Sequence, residues 1–429
     1  MGELLKGGTL VDLAEPIVER ANLRVDAGTI VARGADLSAQ PGDRITDLSG
    51  KLVLGGLVAG HTHLYAALAR GLPAPVPAPK SLLELLERET WKLDRAHDLE
   101  SVEISAQVGA TEALRCGVTT LFDHHSSPSA VEGSLSAVRR GIDRVGLRAM
   151  LCCEVTDRHG RPTRVAALRE TEAFLASARS GRVRAAVGGH ASFTLETETL
   201  QAMSQLATAY GAGVHLHAAE SPDDESETRK RFEKGIVQRL LEAGLLGPRM
   251  ILAHCIHFAW EDFSALHTSG AWLVHCARSD MRRNTGYAPA GKFGPRKALG
   301  TDGLGGDILA EGQACYLRGH EAGFPIDLTR WHSAGQQMAT ELFGQPMGAL
   351  KPGAVADLVV LDYPVATELS AQTLPGHLGL GIGAAHVDAA MIDGIWRLWA
   401  REVLSFDEPE LRSRARPAAQ RLWSRMSEL

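Results

Sequence analysis

Leu52-Val53-Leu54-Gly55-Gly56-Leu57-Val58-Ala59-Gly60-His61-Thr62-His63 is an apolar run that ends in two histidines. On an extended strand the side chains alternate between faces, so His61 and His63 project from the same one. Two imidazoles so placed can hold one metal ion from the end of a strand. In a chain with 17 histidines, one His-x-His spacing carries little weight alone. Its meaning comes from the runs that follow. Strand-like apolar stretches end at Leu121-Phe122-Asp123, Cys152-Cys153-Glu154, Val187-Gly188-Gly189-His190 and Val214-His215-Leu216-His217. Others end at Ile251-Leu252-Ala253-His254, Trp272-Leu273-Val274-His275 and Ala298-Leu299-Gly300-Thr301-Asp302.

Amphipathic helical stretches, including 82–93, 101–116, 165–178 and 234–243, separate these runs. Strand–helix alternation of this length predicts an α/β fold, a (β/α)8 TIM barrel. In that barrel the catalytic groups stand at the C-terminal ends of the strands, and here nearly every strand ends in His, Asp or Glu. Histidines scattered over surface helices would not give that placement.

Before the barrel, short strands at Gly7-Gly8-Thr9-Leu10-Val11, Ala27-Gly28-Thr29-Ile30-Val31 and Gly50-Lys51-Leu52-Val53-Leu54 form a meander too thin to bury a core alone. A second set starts at Pro352-Gly353-Ala354-Val355 and continues through Val387–Ile392 and 396–399. The expected architecture joins both sets into one small β domain: residues 1–57 and 351–429 flank a barrel of residues 58–350. The last segment also carries a helix over 408–426, expected on the barrel exterior. The Gly/Pro-rich stretch 71–79 reads as a loop at the barrel mouth.

At 429 residues and 45% hydrophobic, the chain can bury a large core. A formal charge of −6 argues against a nucleic-acid or anionic-membrane surface. No apolar run reaches membrane-spanning length, and Met1-Gly2-Glu3-Leu4-Leu5-Lys6 lacks the pattern of a secretory leader. The six cysteines show no Cys-x-x-Cys spacing. These features together predict a cytoplasmic, reduced protein acting on a small molecule, with a homo-oligomer left open.

Four groups make a coherent ligand set: His61 and His63 on the first strand, His217 on the fifth and Asp302 on the eighth. Three imidazoles and a carboxylate suit one divalent ion, Zn2+ first, with Fe2+ or Mn2+ as substitutes. An open coordination position would take water and acidify it into a nucleophile. His215, two residues before His217, offers an alternative ligand. Glu220, just past the same strand, is placed to move a proton from that water to a leaving nitrogen; an acid there also suits a helix N-terminus. His254 can hydrogen-bond the nucleophile or a developing oxyanion. Asp302 can relay a proton while ligating.

GLVAGHTH, VHLHAAE, ILAHCIH and LGTDG resemble signatures of the amidohydrolase superfamily, in its cytosine-deaminase-like and chlorohydrolase-like branch. HTHLYAALARGLP, TTLFDHHSSP, LCCEVTDRHG, GGHASFTL and GTDGLGGDILAE are similar to the SsnA-type aminohydrolases. The resemblance runs along essentially the whole chain. It implies a mononuclear site with His61, His63, His217 and Asp302 on the metal, Glu220 and His254 handling protons, and His190 binding substrate. Dinuclear members bridge two metals with a carbamylated lysine on strand four, and residues 184–193 contain no lysine. Near strand seven the family pattern His-Asn-Pro-x-Ser-Asn is replaced by His275-Cys276-Ala277-Arg278-Ser279-Asp280. That departure puts the usual substrate contacts in doubt. Arg278, Arg282 and Arg283 either meet an anionic substrate or form a solvated basic loop. His124 and His125 either line the pocket or support neighbouring ligands.

The expected activity is hydrolysis of a non-peptide C–N bond by metal-bound hydroxide, namely deamination of an amino-substituted N-heterocycle of purine, pterin or triazine type. Ring opening of a cyclic amide or amidine needs the same groups and is the alternative. A metal-bound barrel without turnover would be favoured by loss of Glu220 or Asp302, and both are present.

Overall fold

The computed structural model describes residues 2–178 and 180–429. Eight parallel strands form the barrel: β1 (Leu57–Thr62), β2 (Val118–His125), β3 (Arg148–Val155), β4 (Val187–Gly189), β5 (Val214–Ala218), β6 (Met250–His254), β7 (Trp272–His275) and β8 (Lys297–Leu299). Each pairs with the next in sequence order. β2 and β3 are buried along their entire length, which explains why they read as near-continuous apolar runs: helices cover one face and the barrel interior the other. The fourth strand is broken at Ala186, with Val183–Ala185 pairing on β3 ahead of β4.

Closure is made just beyond the strand ends. Thr62 bridges Asp302, the amides of Thr301 and Asp302 donate to the His61 carbonyl at 2.8 and 3.2 Å, and the His63 amide donates to the Asp302 carbonyl at 3.1 Å. Two glycines permit that approach. A Cβ on Gly60 would lie 2.9 Å from the Ala298 Cβ, and one on Gly300 2.9 Å from the His61 Cβ. The opposite end of the barrel is plugged by Val58, Phe122, Met150, Ile251, Trp272 and Ala298, sealed by Met338 and Phe343 of the helix Leu328–Phe343.

Two further sheets stand against the barrel. One has four strands in the order Thr29–Gly34, Asn22–Asp26, Glu3–Lys6, Arg44–Asp47. The other has seven and mixes the chain's two ends: Leu52–Gly55 pairs antiparallel with Leu358–Leu361, with Val53 opposite Val360. Strand alternation sorts the side chains. Val53, Leu358 and Val360 face the four-stranded sheet with Leu23, Val25 and Ile30, while Leu52, Leu54, Val359 and Leu361 join the core shared with the barrel. The meander read from sequence is therefore divided between two facing sheets, and Glu3–Lys6, Ile17–Arg20, Asn22–Asp26 and Arg44–Asp47 are strands beyond those expected.

The expected helix over 82–93 is a helical run from Leu82 to Ala96 whose middle, Leu86–Thr90, is a wide π turn. The C-terminal helix Glu408–Glu428 packs Leu411, Ala418, Leu422 and Met426 against Tyr65, Leu68, Leu93, Ala96 and Ile104. It thus braces the segments that follow β1 instead of lying on bare barrel wall. Among the described residues, no helix is long and apolar enough to cross a membrane.

The barrel and the seven-stranded sheet are tied by a buried ion pair. Arg148, 1% exposed on β3, donates to Asp357 at 2.9 Å and also to Asp393. Arg148→Ala would strand the buried Asp357 carboxylate without its cation and should cost about 3–5 kcal/mol. Denaturant unfolding checks this, and an unchanged midpoint would show that the pair contributes nothing.

Candidate functional site

At the C-terminal mouth of the barrel, ligand atoms of His61, His63, His217 and Asp302 lie within 4.8 Å of one another, all in buried residues. The chain turns each donor inward. A register shift between Ala59 and Thr62 lets β1 carry His61 to the interior, with His63 just past the strand end. His63 Nδ1 donates to the His124 carbonyl at 2.6 Å, and His217 Nδ1 to the His190 carbonyl at 3.1 Å. His61 Nδ1 is bonded to His215 Nε2 at 2.9 Å. Each imidazole is thereby anchored through Nδ1 with Nε2 left for the centre, the arrangement by which outer partners orient metal-binding histidines. The choice between His215 and His217 is resolved: His217 stands in the cluster and His215 orients His61.

The acid is anchored in the same way. Asp302 Oδ2 accepts from Ser279 and, at 3.2 Å, from Arg283, while Oδ1 lies 3.0 Å from His63 Nε2 and 3.5 Å from His61 Nε2. His61 Nε2 and Asp302 Oδ1 are both buried without a hydrogen-bond partner. Buried polar atoms are rarely left so. Two of them facing each other among imidazoles fit a divalent cation. Burial holds His61 and His217 well below the ordinary imidazole range, hence in the neutral form that binds a cation, whereas at His63 burial is outweighed by Asp302, which raises it. A proton relay through Asp302 Oδ2 would compete with Ser279 and Arg283, which already donate there.

His254 and Glu220 stand beside this cluster. His254 Nδ1 donates to Asp280 at 2.9 Å, and its Nε2 lies 3.8 Å from Glu220 Oε1. Burial opposes charge on His254, yet Glu220 and Asp280 outweigh it and raise the imidazole to about 9. Asp280, which replaces an asparagine of the family pattern, therefore acts as the carboxylate partner of His254. The backbone is in the left-handed region at Ala219, His254, Cys255 and Asp302, with φ of 52°, 74°, 56° and 50°. Non-glycine residues adopt that conformation at a cost of about 1–3 kcal/mol each, and such outliers gather at functional sites.

A small, partly open pocket adjoins the cluster, lined by His63, Tyr65, Trp91, Asp94, Glu154, His190, His217, Glu220 and Arg283 among others. It neighbours a cleft of about 240 Å3 bounded by Gly71, Leu72, Glu89, Arg282 and Leu304. His190 is in the cavity wall as expected, steadied by Thr194 at 2.9 Å. The start of the 71–79 stretch borders the cleft. Two expected contacts are corrected. Arg278 is not at the cavity: its guanidinium donates to the Asp307 carbonyl at 3.2 Å, and its amide to Glu311 at 2.9 Å, so the helix Ala277–Arg283 points it away. His125 bonds Ser127 at 2.8 Å and packs edge-on against Tyr65, one layer behind the wall.

Sequence reasoning gave no role to Tyr65, Trp91, Asp94 or Arg158. Arg158 lies over the Trp91 ring at 4.4 Å and bonds Glu154 at 2.5 Å; burial and the neighbouring Glu154 raise Asp94 to about 7. Of these groups only Glu154 carried a signal, its position at the end of the third strand.

His217→Ala should release the divalent ion, whereas His215→Ala should keep one ion per chain with affinity about 10–100-fold weaker, the usual effect of losing an orienting partner. Elemental analysis and chelator competition check both. Equal metal loss in the two variants would contradict the assignment.

The comparisons with known proteins follow the same lines. The amidohydrolase family model matches residues 52–396. A 5-methylthioadenosine/S-adenosylhomocysteine deaminase of Pelotomaculum thermopropionicum is 28% identical over 443 residues, covering 98% of this chain and 99% of that one. A 5'-deoxyadenosine deaminase of Methanosarcina mazei is 26% identical, covering 96% and 95%. Among solved structures, an adenosine deaminase from Xanthomonas campestris with bound zinc superposes with a TM-score of 0.86 at 21% identity, covering 98% of each chain. With its barrel, its mouth cluster and a family match over most of its length, the chain belongs to the amidohydrolase family.

Proposed function

We propose that this chain hydrolytically deaminates an amino-substituted N-heterocycle, with a purine nucleoside as the first candidate. As an amidohydrolase it is a hydrolase of carbon–nitrogen bonds other than peptide bonds. The observation that carries the finer reading is that the four-residue cluster stands beside Glu220 and His254, with His63, His217 and Glu220 lining one pocket at the barrel mouth. Relatives named as deaminases of adenosine derivatives support the substrate class.

His61, His63, His217 and Asp302 would hold one divalent ion, for which Zn2+ suits the donor set best. When bound, that ion supplies Lewis-acid chemistry that makes a water nucleophilic near neutral pH. Glu220 takes the proton that the attacking water gives up and returns it to the departing amino nitrogen. His254, charged and fixed by Asp280, turns an N–H toward the oxygen that gains negative charge, where a preorganised donor lowers the barrier. Tyr65, Trp91 and His190 form the wall against which a flat ring is held.

Ammonia release across adenosine, 5'-deoxyadenosine, 5'-methylthioadenosine, guanine, a pterin and a triazine tests the reading. At least one should be turned over, and no release from any would overturn it. Glu220→Gln should keep the metal and lose about 10²–10⁴-fold in kcat, the usual contribution of a general acid–base group. A loss below about tenfold would remove Glu220 from that role.

A further inference from the structure

We propose that Arg283 is a positioning residue for the proton shuttle, tying Glu220 and Asp302 into one charged unit. The inference rests on the deamination reading above and concerns a residue that the sequence left between substrate contact and solvated loop. Arg282 and Arg283 are adjacent but point to different places. Arg282 is half exposed and pairs with Glu89 at the cleft rim. Arg283 is the last residue of the helix Ala277–Arg283, followed by Asn284 in the left-handed conformation, and its guanidinium turns into the barrel mouth. Nη1 donates to Glu220 Oε1 at 2.7 Å and Nη2 to Asp302 Oδ2 at 3.2 Å. Its side chain is 11% exposed, Glu220's 10% and Asp302's 1%.

Little else fixes the Glu220 carboxylate. Ala219 before it has left-handed backbone, and Pro222 opens the next helix, so the main chain sets only the direction of departure. His254 lies 3.8 Å from the same oxygen that Arg283 holds. One oxygen of Glu220 is thus pinned while Oε2 is left for proton work. The guanidinium also bridges Glu220 and Asp302, offering each carboxylate a separate nitrogen. Its fork geometry and permanent charge suit that place, which a lysine's point charge would fill less well.

In the reaction, water yields a proton to Glu220 and Glu220 yields it to the leaving nitrogen. Arg283 neither gains nor loses one. It holds one oxygen of the carboxylate in place through both transfers.

The experiment compares Arg283→Gln, Arg283→Lys, Glu220→Gln and the Glu220→Gln/Arg283→Gln double variant on the best substrate of the panel, with metal content and melting temperature measured for each. Arg283→Gln should lower kcat by about 10²-fold, a typical size for impaired general acid–base catalysis, with KM nearly unchanged and one ion retained. Arg283→Lys should recover part of the loss. In the Glu220→Gln background, Arg283→Gln should change kcat by less than about threefold, because residues acting through one another are not additive. Wild-type turnover by Arg283→Gln would overturn the proposal alone, as would a loss confined to KM, loss of the ion, or a double variant in which the two losses multiply. If the wild-type protein deaminates nothing, the functional reading falls first and takes this inference with it.

Discussion

The site depends on one contact, the closure of the barrel where the amides of Thr301 and Asp302 meet the carbonyl of His61. Until β8 lies against β1, Asp302 has no position relative to His61 and His63, and the cluster has no acid. Closure in turn requires small residues on both sides of the seam. Gly60 and Gly300 are flush against Ala298 and His61, where a methyl group would force the strands apart. The same seam aligns Ser279 and Arg283 with Asp302 Oδ2, so the orientation of the acid follows from the geometry of closure.

Around that seam the charges are arranged in alternating pairs. Asp280 faces His254, His254 faces Glu220, Glu220 faces Arg283 and Arg283 faces Asp302. In a low-dielectric setting such alternating charges attract each other more strongly than they would in water. Two of the five, Asp280 and Arg283, lie on the helix Ala277–Arg283 that follows β7, where the chain departs from the family pattern. The departure thus changes what holds His254 and Glu220 while leaving the four residues of the cluster in place.

Much of the barrel and the cluster was legible in the sequence, because strand runs ending in His, Asp or Glu meet the rule that barrel chemistry stands at strand C-termini. His61, His63, His217, Asp302, Glu220 and His254 were all reached that way. His217 was chosen over His215 there, but spacing alone left His215 open as the alternative, since residues two apart on a strand share a face and only depth along the barrel separates them. Arg278 and Arg283 were indistinguishable for a related reason. Five residues along a helix place side chains about 140° apart, but the segment read as a loop and gave no face to assign. Tyr65, Trp91 and Asp94 owe their place in the cavity wall to the chain after β1, including the π turn at Leu86–Thr90, which no periodicity announces. The short N-terminal strands escaped because four-residue elements offer too few alternations to sort one sheet from another.

The cluster residues stand on or just past the first, fifth and eighth strands, so an ion held there would be a cross-link around the circumference of the barrel. Its binding energy is available only to the closed form, and by linkage it is added to the stability of closure itself. Loop-closure entropy that would let the seam between β8 and β1 breathe is thereby offset at one point, much as a disulfide would offset it. The clamp on the barrel would then lie at the cluster itself and not in any loop around the cleft.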